Sequence, residues 1–209
     1  MRFIFLSTLF ILCLAVKAEA LPLANVHMVV VSGTGAIQAD IPTLFAATKE
    51  TLKPLPVRLR LRRSTYVSDS APGLSSLAQT RARFDYWKNE AIKRHWFRGS
   101  DIVHVALPPI IDPAGIFVGE LALTCGRFSV SFLTNQNNKG ESRYEHSLCS
   151  IGHGLLHNLG SGHHNDSINL MHSDALRFVS AERSAESGYS STCRLPIEAS
   201  TVKEVEACR

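Results

Sequence analysis

Six of the nine histidines in this 209-residue chain fall between His146 and His172, and their spacing limits what they can do. His153 and His157 are four apart in a segment that reads as a helix over residues 144–159. About one turn separates them, so both imidazoles project from the same face. Leu148, Ile151, Leu155 and Leu159 make a core-facing stripe opposite them. Gly160 then ends the helix by taking the left-handed backbone that glycine adopts cheaply. The reversal carries His163 back toward the pair. Three neutral imidazoles with a fourth position left open are the ligand set of a catalytic rather than a structural zinc site.

The full run is His153-Gly154-Leu155-Leu156-His157-Asn158-Leu159-Gly160-Ser161-Gly162-His163, with Met171 eight residues later. It resembles the metzincin zinc peptidases, whose motif is H-E-x-x-H-x-x-G-x-x-H followed by a methionine turn. Within them it is most similar to the reprolysin (adamalysin) branch. Phe84-Asp85-Tyr86-Trp87, Asp101 before an apolar strand, the stretch 119–125 ending in Cys125, and Ser129-Val130-Ser131 occur in the order of that branch. Only the histidine segment is specific; the others are weak matches. The resemblance implies zinc held by His153, His157 and His163, with Met171 packed beneath it without binding it. It also implies an active-site helix, a C-terminal helix, and a peptide or protein as occupant of the cleft.

Two departures bear on chemistry. The branch usually has Asp after the third histidine, where this chain has His164, with Asp166 two later; His164 therefore stands as the rival third ligand. More consequentially, Gly154 occupies the position of the glutamate. In the family, zinc acidifies a bound water and that glutamate takes its proton. Glycine has no carboxylate, and Glu145 lies more than two helical turns before His153. Loss of a positioned general base typically costs about 10²–10⁴ in rate. On the sequence alone, Gly154→Glu is expected to restore activity by that factor. Stability should hold or improve, because glycine in a helix interior costs about 1 kcal/mol relative to alanine. The competing reading of Gly154 is close packing.

The elements that must position these residues are legible as an α/β pattern. Residues 25–31 form a continuously apolar strand broken only by His27, which reads as a satisfied core residue. A helix over residues 40–53 follows, with Asp40 as its cap, Pro42 in its first turn, and Pro54 and Pro56 after it. Residues 57–62 alternate strictly between apolar residues and arginine, a strand with one solvated face. Residues 64–79 read as a loop, and residues 80–97 as a helix with Phe84, Trp87, Ala91, Ile92 and His95 on its core face. Strands at 102–107, 117–123 and 128–133 complete a largely parallel sheet with an antiparallel edge. Residues 134–143 read as a polar loop.

The ends and composition set the context. Arg2, an apolar run and Ala18-Glu19-Ala20 make residues 1–20 a signal peptide, leaving residues 21–209 as one exported domain. Removing Arg2, Lys17 and Glu19 lowers the formal charge from +4 to +3, which does not call for nucleic acid, and no later stretch is long enough to span a membrane. The first strand follows the cleavage point within about five residues, leaving no room for an inhibitory segment. Cys125, Cys149, Cys193 and Cys208 remain, an even set expected to form two disulfides in one of three pairings. The reprolysin resemblance implies Cys125–Cys208, and Cys149–Cys193 is what remains. Asn165-Asp166-Ser167 is the one glycosylation sequon of the mature chain. The reading that follows is a secreted zinc-binding, peptidase-like domain with hydrolysis absent or strongly reduced. The alternatives are an active zinc endopeptidase and a zinc-free interaction domain.

Overall fold

The computed structural model describes residues 21–34, 40–53, 55, 57–69, 77–108, 122–133, 143–163 and 171. In chain order they form β1 (Leu23–Val31), α1 (Ile41–Thr51), β2 (Arg58–Val67), α2 (Leu77–Lys93), β3 (Ile102–Leu107), β4 (Ala122–Cys125), β5 (Phe128–Phe132) and α3 (Arg143–Asn158). The sheet runs β2-β1-β3-β5-β4. β1 pairs in parallel with β2 and with β3, β3 pairs in parallel with β5, and β4 is an antiparallel edge. This is the mostly parallel α/β sheet that the sequence pattern implies.

β1 lies between the two neighbours the chain visits next, and that placement distributes the helices. One crossover leaves β1 toward β2 and the next returns past it to β3. Right-handed crossovers in opposite directions put their helices on opposite faces. On one face, Ile41 and Phe45 of α1 and Ile151, Leu155 and Leu156 of α3 pack on Val26, Met28, Ile102 and Ala106. On the other, Phe84, Trp87 and Ala91 of α2 pack on Val29, Val103, Val105 and Phe128. The rings of Phe84 and Phe128 meet edge to face at 5.2 Å, an arrangement that adds about 0.5–1.5 kcal/mol to area burial. With both faces covered, β1 and β3 must be apolar nearly throughout.

Some elements differ from the sequence expectation. β2 continues through Ser64–Val67, which the composition assigned to a loop. A register shift opposite Val26 and His27 breaks the alternation there while pairing to β1 continues as far as Val67. Helix α2 starts at Leu77 and stops at Lys93, so His95 is not on its core face. His95 is exposed in a turn with φ +54°, and the residue that enters the core there is Trp96, stacked on Trp87 at 6.4 Å. Asp40 makes no side-chain capping bond to α1. The region proposed as a strand from 117 is described only from β4 onward. Arg58, Arg60 and Arg62 are exposed on the outer strand β2, as its alternation implies, and Arg63 after the register shift is exposed as well. No helix among the described residues is long and apolar enough to cross a membrane.

Two histidines are fully buried in the sheet. His27 bonds the Trp96 carbonyl through Nδ1 (3.2 Å) and Thr65 Oγ1 through Nε2 (2.9 Å), the satisfied core role expected of it. Burial lowers its pKa, and the nearby Arg63 adds to the effect. His104 lies on β3 between Met28 of β1 and Ser129 of β5, and burial lowers its pKa to about 3. Both rings are therefore neutral when folded, whereas the unfolded chain takes up their protons near the ordinary value of 6.5. Stability is fully present above that value and falls as pH drops through the window from 6.5 toward the folded value, by at most about 1.4 kcal/mol per pH unit per histidine. Chelator-treated protein should show a lower urea midpoint at pH 5.5 than at pH 7.5. His104→Asn, which keeps an N–H for Ser129, should flatten that dependence; an unchanged slope would mean His104 is protonated in the fold.

Candidate metal centre

Helix α3 sets two of the three histidines. It lies across β3, β5 and β4 on the same face as α1. Ile151, Leu155 and Leu159 point into the apolar cluster, and His153 and His157 project from another side of the helix. His153 is buried, His157 half-buried and His163 exposed.

The return of His163 has a specific local cause. Gly160 sits at φ +87°, where a side chain would be strained. The Gly160 amide bonds the His157 carbonyl at 2.9 Å, and the Ser161 amide bonds the Leu156 carbonyl at 3.0 Å. That pair of bonds is a Schellman end, closing the last open carbonyls of the helix. It also turns the Ser161 carbonyl onto His157 Nδ1, 2.8 Å away. A carbonyl can only accept, so Nδ1 carries the proton and His157 Nε2 is left with its lone pair free for a metal.

The three rings meet through their Nε2 atoms. His157 Nε2 lies 3.0 Å from that of His153 and 3.2 Å from that of His163. A tetrahedral zinc with Zn–N bonds of about 2.0–2.1 Å would separate its nitrogens by about 3.3–3.4 Å. Burial holds the His157 pKa below the ordinary histidine value and His163 adds to that, against the opposing pull of the Ser161 carbonyl. A neutral ring is the form that ligates. The donor set, its spacing and the neutral state of His157 thus fit a zinc ion, which His153, His157 and His163 would hold.

Of the other residues singled out by sequence, Met171 is fully buried in the same cluster as Ile151, Leu155, Leu156 and Leu159. The side chain of His146 lies outside the described residues, as do His164, His172 and Asn165 entirely. Cys125 is buried at the end of β4 and disulfide-bonded. The side chains of Cys149, Cys193 and Cys208 lie outside the described set, as does any C-terminal helix.

A polar row that the sequence reading passed over lies under α3. Asn158 donates through Nδ2 to the Gly126 carbonyl (2.7 Å) and accepts through Oδ1 from Ser129 Oγ (2.5 Å). Ser129 in turn lies 2.7 Å from His104 Nδ1, and Ser131 donates to the Ser150 carbonyl at 2.7 Å. Gly154 faces this row. A Cβ there would stand 2.9 Å from His104 Cε1 and 3.1 Å from Ser131 Oγ. Against the expectation that Gly154→Glu would hold or improve stability, a side chain at 154 would press on His104 and Ser131, in keeping with the close-packing reading of this glycine. The available signal was a histidine in an apolar strand together with a strand that carries Ser129 and Ser131 and a helix that carries a glycine.

No protein-family model and no curated protein sequence matches the chain. Among solved structures, the fold is similar to metalloproteinase-II from Bacteroides fragilis, with 16% identity and a TM-score of 0.50, covering 81% of this chain and 50% of that one. The chain thus spans about half the length of that protein. It is similar to the archaemetzincin from Methanopyrus kandleri at 17% identity and a TM-score of 0.50, covering 88% of this chain and 96% of that one. At these identities the likeness is one of fold: this chain has a zinc-peptidase-like α/β fold.

Proposed function

We propose that the protein is a secreted, reprolysin-like zinc-binding domain that holds a peptide or protein segment in its cleft and hydrolyses it weakly or not at all. The observation that carries this reading is the convergence of three imidazole Nε2 atoms beside a position that has no carboxylate. The triad supports metal binding through its spacing and through the neutral, Nδ1-protonated state of His157. Zinc bound there would supply a Lewis acid able to polarise a carbonyl. Gly154 offers nothing to take a proton from an attacking water, and a neutral ring as strongly buried as His104 is a poor base. The zinc-peptidase-like fold supports descent from hydrolases, and the residues at 154 and 104 support its conversion to a binding role.

Metal analysis of the purified mature protein should give one zinc per chain. His157→Ala should abolish stoichiometric binding, and retention of a full equivalent would reassign the ligands. Gly160→Ala should weaken zinc binding by about 10–100-fold, the usual cost of disturbing a ligand's outer partner, because it strains the turn that aims the Ser161 carbonyl. In the same preparations a peptide library should show no chelator-sensitive cleavage by the zinc-loaded protein; robust cleavage would favour the active endopeptidase instead.

The disulfides follow the same reading, with Cys125 joined to Cys208 and Cys149 to Cys193. Bridges closing loops this long contribute on the order of 3–5 kcal/mol in the chain-entropy picture. Peptide mapping without reduction should recover those two pairs from protein whose first residue is Leu21. A Cys125–Cys149 peptide would overturn the scheme.

A further inference from the structure

We propose that His104 is the residue that keeps position 154 closed to a side chain, so that Gly154 and His104 form one matched pair and the missing carboxylate cannot return by a single substitution. This goes further than the proposed function, on which only its activity arm rests. The argument starts from the hydrogen-bond directions under α3. The Asn158 amide must present its NH₂ to the Gly126 carbonyl, so its oxygen faces Ser129. The serine proton therefore goes to Asn158, and the serine oxygen accepts from His104 Nδ1–H. The imidazole is thus fixed in one tautomer and one orientation by a chain of bonds that ends on α3 itself.

That anchoring makes the contact at Gly154 stiff. His104 Cε1 is the atom 2.9 Å from where a Cβ would be, and Ser131 Oγ, held by the Ser150 carbonyl, is 3.1 Å away. Turning the ring aside would break its bond to Ser129 in a fully buried place, where lost hydrogen bonds are not replaced by water. Moving the helix away would pull Asn158 from Ser129 and Gly126 and open the apolar contact made by Ile151 and Leu155. Neither neighbour can give cheaply. The ring thus lies where a side chain at 154 would begin, and alanine there is already too large.

The consequence is a change of sign. In an ordinary helix interior, glycine to alanine stabilises. Here Gly154→Ala should lower the melting temperature in the wild-type background and raise it in the His104→Ala background, where the ring is gone. Both substitutions and their combination are compared by thermal melting of the full mature chain, with zinc content measured alongside. Failure of Gly154→Ala to fold while the double variant folds gives the same conclusion. A rise in melting temperature on Gly154→Ala in the wild-type background overturns the pairing, as does an equal fall in both backgrounds.

The activity arm uses Gly154→Glu on the same peptides. Alone it should lose stability and gain no cleavage; with His104→Ala it should recover melting temperature and gain chelator-sensitive cleavage. Cleavage gained by Gly154→Glu alone, with an unchanged melting temperature, overturns the pairing and leaves the proposed function standing. Cleavage by the wild type overturns the proposed function, while the sign pattern in the melting data still decides the pairing.

Discussion

The approach of helix α3 to the sheet is the contact on which the rest of this molecule depends. It has two unlike halves. Ile151, Leu155 and Leu159 supply apolar burial worth about 1.5–3 kcal/mol each, which presses the helix down without fixing its height or rotation. The row Ser150, Gly154 and Asn158 supplies little attraction but sets geometry, because its hydrogen bonds to Ser129, Ser131 and Gly126 each have one acceptable length. Rotation about the helix axis would carry His153 and His157 with it. The placement of the candidate ligands is thus decided on the flank of the helix beside them.

The same economy appears at the helix end. The turn through Gly160 and Ser161 satisfies the terminal carbonyls, reverses the chain to deliver His163, and fixes the protonation of His157. Imidazole nitrogens 3.0 and 3.2 Å apart sit close to the separation that one zinc ion imposes on its ligands. His153 is buried and His157 half-buried, so the fold positions those two rings, while His163 is exposed at the turn.

What could be read from the chain beforehand was what short-range periodicity encodes. The spacing of His153 and His157, the glycine that ends their helix and the apolar runs of β1 and β3 each act within a few residues, and each appears in the structure. What could not be read depended on partners distant in sequence. His104 looked like one more residue of a strand, because its significance comes from Ser129 and Gly154, 25 and 50 positions away. β2 ran on past its visible alternation because a shift against β1 moved the pattern by one residue. His95 fell on the expected helical face only while the helix was assumed to continue; the chain turns first and puts Trp96 inside.

The arginines of β2 have a meaning separate from any ligand. Among the described residues β2 is an outer strand, and the edge of such a strand can pair with another extended chain. Arg58, Arg60, Arg62 and Arg63 are exposed on it, with Arg58 bonded to the Leu21 carbonyl and Arg60 to Asn25 Oδ1. A second copy approaching edge to edge would bring its own set against them, and like charges at that separation oppose strand pairing. The charge on β2 thus works against edge-to-edge pairing through a strand that takes no part in the metal centre.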